Sequence, residues 1–213
     1  MTPKIAVLGA GKSGSAIGRV AVEAGYDVSI AASGDPEAIA LITRIMVPGA
    51  EPRWAADAVR DADLVVLAVP MHRFHGLDPD LFAGKIVVDV MNYWPEVDGV
   101  LPEFEVAGLS SSEIVQRRLS SATVVKTLNH VGYHELEDER RPVGAADRHA
   151  LAVAGDDPSA VALVAGIIER IGFDAVVLES LRAGAVLGPG GPFFGVPLTR
   201  DQLDELVRLE LAS

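Results

Sequence analysis

The chain has 213 residues, of which 49% are hydrophobic and 23% are charged, so it can fold around a large core. Its net charge of −12 argues against a nucleic-acid-binding protein, because neutralising phosphates requires a basic surface. The absence of cysteine excludes disulfides, cysteine nucleophiles and cysteine-ligated metals.

The start of the chain and its apolar segments bear on its location. The first residues lead directly into a predicted strand, without the basic stretch and apolar run of a signal peptide. No segment reaches the roughly 18 apolar residues that a membrane-spanning helix needs. We therefore expect a cytoplasmic protein that has neither a membrane nor a nucleic acid as its partner.

The first predicted elements are a strand over residues 4–8, a glycine-rich turn and a helix that ends at Gly25. A second strand is predicted over residues 27–32. The turn has the pattern G-x-G-x-x-G, and its residues are Gly9, Ala10, Gly11, Lys12, Ser13 and Gly14. This succession of strand, glycine turn, helix and strand is typical of a βαβ unit that binds a dinucleotide.

Each glycine of the turn has a purpose in a dinucleotide site. Gly9 permits a sharp exit from the strand, Gly11 lets the backbone approach a pyrophosphate, and Gly14 lets the helix pack on the strand. The helix N-terminus adds unpaired N–H groups and a positive dipole end. The alternative is a purely structural turn, and Lys12 is either a partner of the phosphates or a solvated lysine.

The elements that follow alternate between helices and strands. Helices are predicted over residues 35–46, where Asp35-Pro36 gives a start signal, and over 55–59 and 111–119. Strands are predicted over the apolar runs 64–69, 86–90 and 123–127. Because such runs are apolar on both faces, they belong in a parallel sheet covered by helices on two sides.

The C-terminal part is predicted to extend the same sheet. Residues 132–147 are polar and contain Pro142 and Gly144, which favours a loop or lid. Strands over 150–154 and 175–178 with a helix over 158–171 make another βαβ unit, followed by a helix over 201–211. The predicted fold is thus an α/β, Rossmann-type doubly wound, mostly parallel sheet with a C-terminal βαβ extension. We expect one domain over residues 1–213, with a dinucleotide-binding core over 1–130 and the extension over 131–213.

The residue after the second strand bears on cofactor choice. An acidic residue there would bind the ribose hydroxyls of NAD, but the sequence has Ser33 and Gly34. Ser33 leaves room for a 2′-phosphate and favours NADP, although no arginine follows it to bind that phosphate. NAD remains possible, and Ser33 is alternatively only a turn residue.

The ends of the next three strands should converge where a nicotinamide ring would lie. The residues expected there are Val69, Pro70, Asn92, Asn129 and His130. Either asparagine could hold a carboxamide or simply bond to local backbone. The sequence is compatible with two roles for His130, a contact to substrate and a structural role.

The histidines suggest a metal site only weakly. His130 and His134 have an i, i+4 spacing, and His72 and His75 lie close in sequence. Neither pair has an evident third ligand or an H-E-x-x-H order. We therefore predict no metal site.

Several motifs in chain order resemble one known family, the NADP oxidoreductases dependent on coenzyme F420. The resemblance runs through almost the whole chain. Its most specific parts are Val124 to Asn129 and the turn Ala154-Gly155-Asp156-Asp157-Pro158. The other matching segments are Gly9 to Gly14, Ala68 to Pro70, Asp89 to Trp94, Ser111 to Glu113 and Ile171 to Phe173.

The resemblance implies a function as well as a fold. It implies a Rossmann sheet and hydride exchange between a nicotinamide and a deazaflavin or flavin-like acceptor that lies over it, commonly in a homodimer. By position it places Gly9, Gly11 and Gly14 at the pyrophosphate, Ser33 near the 2′-phosphate, and Val69, Pro70 and Asn129 beside the nicotinamide. The chain departs from the family in two respects. Family members that use NADP typically follow the serine with an arginine, whereas Gly34 and Asp35 follow Ser33 here, and the stretch Leu187 to Gly195 is a local elaboration.

Hydride transfer between two stacked rings requires no protein nucleophile, so we predict no catalytic side chain. A non-catalytic NAD(P)-binding redox sensor is the alternative, and a dehydrogenase of small hydroxy acids or imines ranks last because the predicted C-terminal part is another βαβ unit. The loop Pro189 to Gly195 carries Phe193 and Phe194. These phenylalanines either dock on the core or form an apolar wall at the second ligand's pocket or at a dimer contact.

Overall fold

The structure, a computed structural model, describes residues 2–106 and 108–211, and within them the strands form one eight-stranded sheet. The strands are β1 (Lys4–Leu8), β2 (Asp27–Ala31), β3 (Glu51–Pro52), β4 (Leu64–Leu67), β5 (Ile86–Asp89), β6 (Thr123–Lys126), β7 (Ala150–Gly155) and β8 (Asp174–Leu178). Their order across the sheet is β3-β2-β1-β4-β5-β6-β7-β8.

Helices cover the sheet. The α-helices are α1 (Lys12–Glu23), α2 (Glu37–Met46), α3 (Ala55–Asp61), α4 (Met71–Phe74), α5 (Pro95–Asp98), α6 (Ser111–Arg118), α7 (Tyr133–Asp138), α8 (Pro158–Arg170) and α9 (Arg200–Leu211). Short 3₁₀ helices occur at Pro79–Phe82, Pro102–Glu105 and Arg182–Leu187. Over the described ranges, no helix has both the length and the apolar character needed to cross a membrane.

The strand directions confirm the predicted fold class. Neighbouring strands from β3 to β6 are parallel, β7 runs antiparallel to β6, and β8 is parallel to β7. The unit β7-α8-β8 therefore extends the sheet, as the sequence predicted. The carboxyl ends of β1 to β6 share one edge, which is where ligands bind in open α/β sheets.

The sheet lies between two apolar layers, and the alternation of its side chains explains why. In β4, Leu64 and Val66 face the layer that contains α1 and α8, whereas Val65 and Leu67 face the layer that contains α3 and α6. This explains the uninterrupted apolar runs of the sequence. A third, smaller core joins β7 and β8 to α9 and to the buried Phe193.

One predicted loop is wrong in part. Residues 132–147 contain α7, which packs on α1 through the buried Leu136 and through an ion pair between Arg19 and Glu137. A single charged turn-and-a-half of helix has too few apolar positions to produce a periodic pattern. The two-residue β3 was missed for the same reason, since a pair of residues cannot show alternation.

Candidate active site

The turn after β1 requires glycine at its first position. Gly9 has φ +121°, and its N–H donates to the carbonyl of Ala31 at 2.8 Å. A Cβ atom on Gly9 would lie 2.2 Å from the carbonyl oxygen of Ala68, just after β4. The chain therefore leaves β1 in tight contact with the ends of both neighbouring strands.

The third glycine of the turn brings α1 against the strand. A Cβ atom on Gly14 would lie 1.9 Å from the carbonyl oxygen of Gly9. Side chains are thus excluded here by packing. The start of α1 is held directly over the end of β1 as a result.

Gly11 has the opposite environment, because a Cβ atom there would meet nothing within 4 Å. It is the residue before α1, and no side chain caps that helix or places an acidic group in its first turn. The first N–H groups of α1 therefore have no intrahelical partner, and the space beside Gly11 is open. Such a cradle fits a pyrophosphate, which it would bind through main-chain N–H groups and the helix dipole.

The side chains around this cradle are mostly exposed. Lys12 and Ser13 lie at the surface, and Ala10 is half-buried. The Lys12 ammonium lies 5.4 Å from the centre of the Tyr133 ring on α7. Lys12 thus lies beside the cradle and makes a cation–π contact with Tyr133.

The adenosine end of such a site would lie at β2 and β3. Ser33 follows β2 and is exposed, as sequence reasoning placed it. Arg53 and Trp54 follow β3 at the same edge, since the Arg53 N–H donates to the carbonyl of Ile30 at 3.0 Å. Sequence reasoning missed both residues because it missed β3.

At the other end, the structure brings Asn92 and Asn129 together across the ends of β5 and β6. The Asn129 amide donates to Asn92 Oδ1 at 3.0 Å and to the carbonyl of Leu187 at 2.7 Å. Asn92 donates to the carbonyl of Asn129 at 2.8 Å. Asn129 is buried and Asn92 is half-buried, so Asn92 is the member of the pair that reaches the surface. Strand β4 lies between β1 and β5. Two predicted residues follow it, the half-buried Val69 and the exposed Pro70.

His130 lies behind this pair and is buried. Its Nε2 accepts a hydrogen bond from the Ala152 N–H at 3.2 Å, and its carbonyl accepts one from Gly195. Burial and then the nearby Lys126 charge lower the pKa of His130 to about 3, so the ring is neutral. These contacts favour the structural role that the sequence left open for His130.

A buried ion pair supports the ends of β5 and β6. Lys126 Nζ lies 3.2 Å from Asp89 Oδ2 at the matching register position, and it also donates to the carbonyl of Met91. Asp89 accepts from Ser112 Oγ at 2.7 Å and from the Met91 N–H at 2.9 Å. Burial lowers the pKa of Lys126, and the Asp89 carboxylate opposes this shift. Asp89 was missed as part of the site, although a carboxylate inside an apolar strand was the signal.

A strained residue lies next to this pair. Leu128 has φ +62°, and among the described residues it is the sole residue other than glycine with positive φ. Backbone strain of this kind is often found near functional sites. Here it turns the chain after β6 so that Asn129 meets Asn92.

Aromatic side chains form a rim beside Asn92. Trp94 and Phe194 make an edge-to-face contact with ring centres 5.6 Å apart. Asp98 accepts from the Trp94 N–H at 3.0 Å and from the His72 N–H at 3.2 Å, which joins the loops after β4 and β5. Phe193 docks on the core and does not reach the rim. We call Trp94 and Phe194 the aromatic rim.

A paired substitution tests the cradle. We expect Gly11→Leu to abolish dinucleotide binding, because the side chain fills the open space, while the free energy of unfolding changes by less than about 1 kcal/mol. Gly14→Ala is the contrasting variant, and it should lower that free energy by roughly 1–3 kcal/mol because its Cβ overlaps a carbonyl. Calorimetric titration with NADPH and urea denaturation measure the two effects. Normal NADPH affinity in Gly11→Leu would show that the turn has been misassigned.

The buried pair gives a second prediction. Lys126→Met leaves the Asp89 carboxylate buried without its cation, so the free energy of unfolding should fall by about 3–5 kcal/mol. Arg141→Met removes one partner of the surface pair Arg141–Asp147 and should cost less than about 1 kcal/mol. Urea denaturation of both variants checks the difference. Equal losses would mean that the buried pair contributes no more than a surface one.

Comparisons with known proteins find chains of similar sequence and fold. The model of the family described as NADP oxidoreductase, coenzyme F420-dependent, matches residues 4–93, from β1 to the loop after β5. A hypothetical protein from Sinorhizobium meliloti shares 29% identity with a TM-score of 0.78, covering 94% of this chain and 97% of that chain. A protein from Arthrobacter sp. FB24, proposed to be an F420-dependent NADP reductase, shares 29% identity with a TM-score of 0.74, covering 93% of this chain and all of that one (100%).

More distant structures share the fold alone. An imine reductase from Myxococcus stipitatus in complex with NADP⁺ has 15% identity and a TM-score of 0.61, and the match covers 99% of this chain but 61% of that one. A comparison with curated proteins gave no match. The family match and the Arthrobacter structure confirm the resemblance noted in the sequence, and they identify the chain as an NADP-dependent oxidoreductase similar to the F420-dependent NADP reductases.

Proposed function

We propose that this oxidoreductase transfers a hydride between NADP(H) and a deazaflavin, coenzyme F420, or a flavin-like acceptor. One observation carries the proposal: the same sheet edge holds an anion cradle after β1 and the aromatic rim after β5, with only β4 between them. A nicotinamide dinucleotide extends from its phosphates across neighbouring strand ends. The arrangement therefore suits a dinucleotide whose reactive end lies beside the rim.

The residues of the site bind and orient, and they do no covalent chemistry. Gly11 and the first turn of α1 would hold the pyrophosphate, and Val69, Pro70 and Asn92 would border the nicotinamide. When bound, NADPH supplies the hydride, and the acceptor takes up that hydride and one proton. The protein's contribution is to hold the two reacting carbons roughly 3–3.5 Å apart.

The aromatic rim supports an acceptor with a flat ring system. Trp94 is 40% exposed, and Phe194 packs against its edge, so the rim offers an apolar surface that is fixed yet accessible. Aromatic faces favour offset or edge contacts with planar ligands. Asp98 fixes the backbone of Trp94 by a hydrogen bond, which keeps this surface in place.

The proposal is tested by an anaerobic assay with separate acceptors. We expect the protein to oxidise NADPH in the presence of oxidised coenzyme F420. The amount of NADPH consumed, measured from the nicotinamide absorbance, should equal the amount of acceptor reduced. Riboflavin and FMN serve as alternative acceptors, and Gly11→Leu serves as the control that cannot bind the donor. NADPH binding without turnover on any of these acceptors would contradict the proposal and favour the redox sensor.

We also propose that the chain forms a homodimer through α2. Leu41, Ile42 and Ile45 are 67%, 52% and 65% exposed, which makes an apolar stripe along this helix. Glu37 lies at the start of α2 and Arg44 near its end. Two antiparallel copies of the helix would cover both stripes and bring these opposite charges together.

Light scattering after size-exclusion chromatography tests the dimer. The unmodified protein should have the mass of a dimer, and Ile45→Glu should reduce it to a monomer because a charge would be buried in the interface. Leu209→Glu on α9 is the matched control, since Leu209 is equally exposed but lies outside the stripe. A monomeric unmodified protein would contradict this proposal.

A further inference from the structure

The turn after β2 lacks the cation that a 2′-phosphate needs. Ser33, Gly34 and Asp35 occupy it, and the Asp35 carboxylate accepts a hydrogen bond from the Glu37 N–H at 2.9 Å. The carboxylate adds negative charge near the place where the phosphate would lie. An NADP-dependent protein must therefore draw a positive charge from elsewhere.

The neighbouring strand brings the backbone of a cationic residue, Arg53, to the same edge. Strand β3 pairs in parallel with β2, with Ile30 opposite Pro52, and the Arg53 N–H continues the ladder onto the Ile30 carbonyl. Arg53 therefore stands about one strand spacing, ~4.8 Å, from the chain that leads into Ser33. Residues 31–35 and 51–55 contain no other cationic side chain.

The guanidinium of Arg53 forms a partly exposed ion pair with Asp61. It donates to Asp61 Oδ2 at 2.8 Å, and the two side chains are 26% and 43% exposed. Ion pairs this exposed contribute little to stability, so the guanidinium can exchange its partner at low cost. Asp61 also lies 3.6 Å from Arg60 Nε, which would remain as its counter-ion.

We infer that Arg53 is the residue that binds the 2′-phosphate of NADP(H) and gives the site its preference over NAD(H). The planar guanidinium suits a phosphate because it can donate two parallel hydrogen bonds, and the Ser33 hydroxyl adds a further donor. Asp61, the last residue of α3, binds the guanidinium in the unliganded protein, so the Arg53 side chain has to turn away from Asp61 to reach the phosphate. This inference rests on the proposed dinucleotide site and names its specificity residue.

Binding constants for NADPH and NADH test the inference without any acceptor. Arg53→Ala should weaken NADPH binding about 10- to 100-fold, as expected for a lost charge-assisted contact, and leave NADH binding within about twofold. Arg53→Lys should recover part of the NADPH affinity. Arg208→Ala, at an exposed position on α9, is the control, and it should leave both affinities unchanged.

A further variant separates recognition from structural support. If Arg53 acted only by fixing α3 through Asp61, Asp61→Asn would weaken NADPH binding as much as Arg53→Ala does. We expect instead that Asp61→Asn retains or improves NADPH binding, because it frees the guanidinium. Equal weakening of NADPH and NADH by Arg53→Ala, or no effect on either, would overturn the inference. Failure of the unmodified protein to bind either dinucleotide would overturn the proposed function itself, and the inference with it.

Discussion

An ion pair buried in the middle of the sheet underlies the geometry of the site. Asp89 and Lys126 occupy matching positions of β5 and β6, and both also bond to the backbone of Met91. This fixes the chain just before Asn92, while the strained Leu128 fixes it just before Asn129. Because a buried charge is tolerated only when it is paired, the two strand ends cannot separate without a large loss of stability.

Most of the fold was predictable from sequence because its strands are buried on both faces. Runs such as residues 64–67 and 86–88 are apolar throughout, and the helix α6 has a clear start signal in the capping box of Ser110 and Glu113. The short elements β3 and α7 were not predictable, because their positions are determined by pairing with β2 and packing on α1. Local sequence carries little information about such tertiary contacts.

Some residues of the candidate site could be predicted from the sequence and others could not. The glycine turn has a pattern with a strict steric basis, and Gly9 and Gly14 meet the close contacts that the pattern implies. The asparagine pair was expected to converge, since β5 and β6 are neighbours. The contributions of Asp98 and Arg53 could not be foreseen, because each depends on a contact between loops or strands that are distant in sequence.

The proposed recognition of phosphates by the main chain has a consequence for the evolution of this protein. The cradle at Gly11 depends on space and on N–H groups that every residue type except proline possesses, so drift at exposed positions such as Lys12 and Ser13 leaves it intact. Coenzyme preference, by contrast, is assigned by our proposal to the short outermost strand β3, which has a neighbouring strand on one side only. Selection could therefore exchange one nicotinamide coenzyme for the other by altering that edge alone, and the reaction centre several strands away would be inherited unchanged.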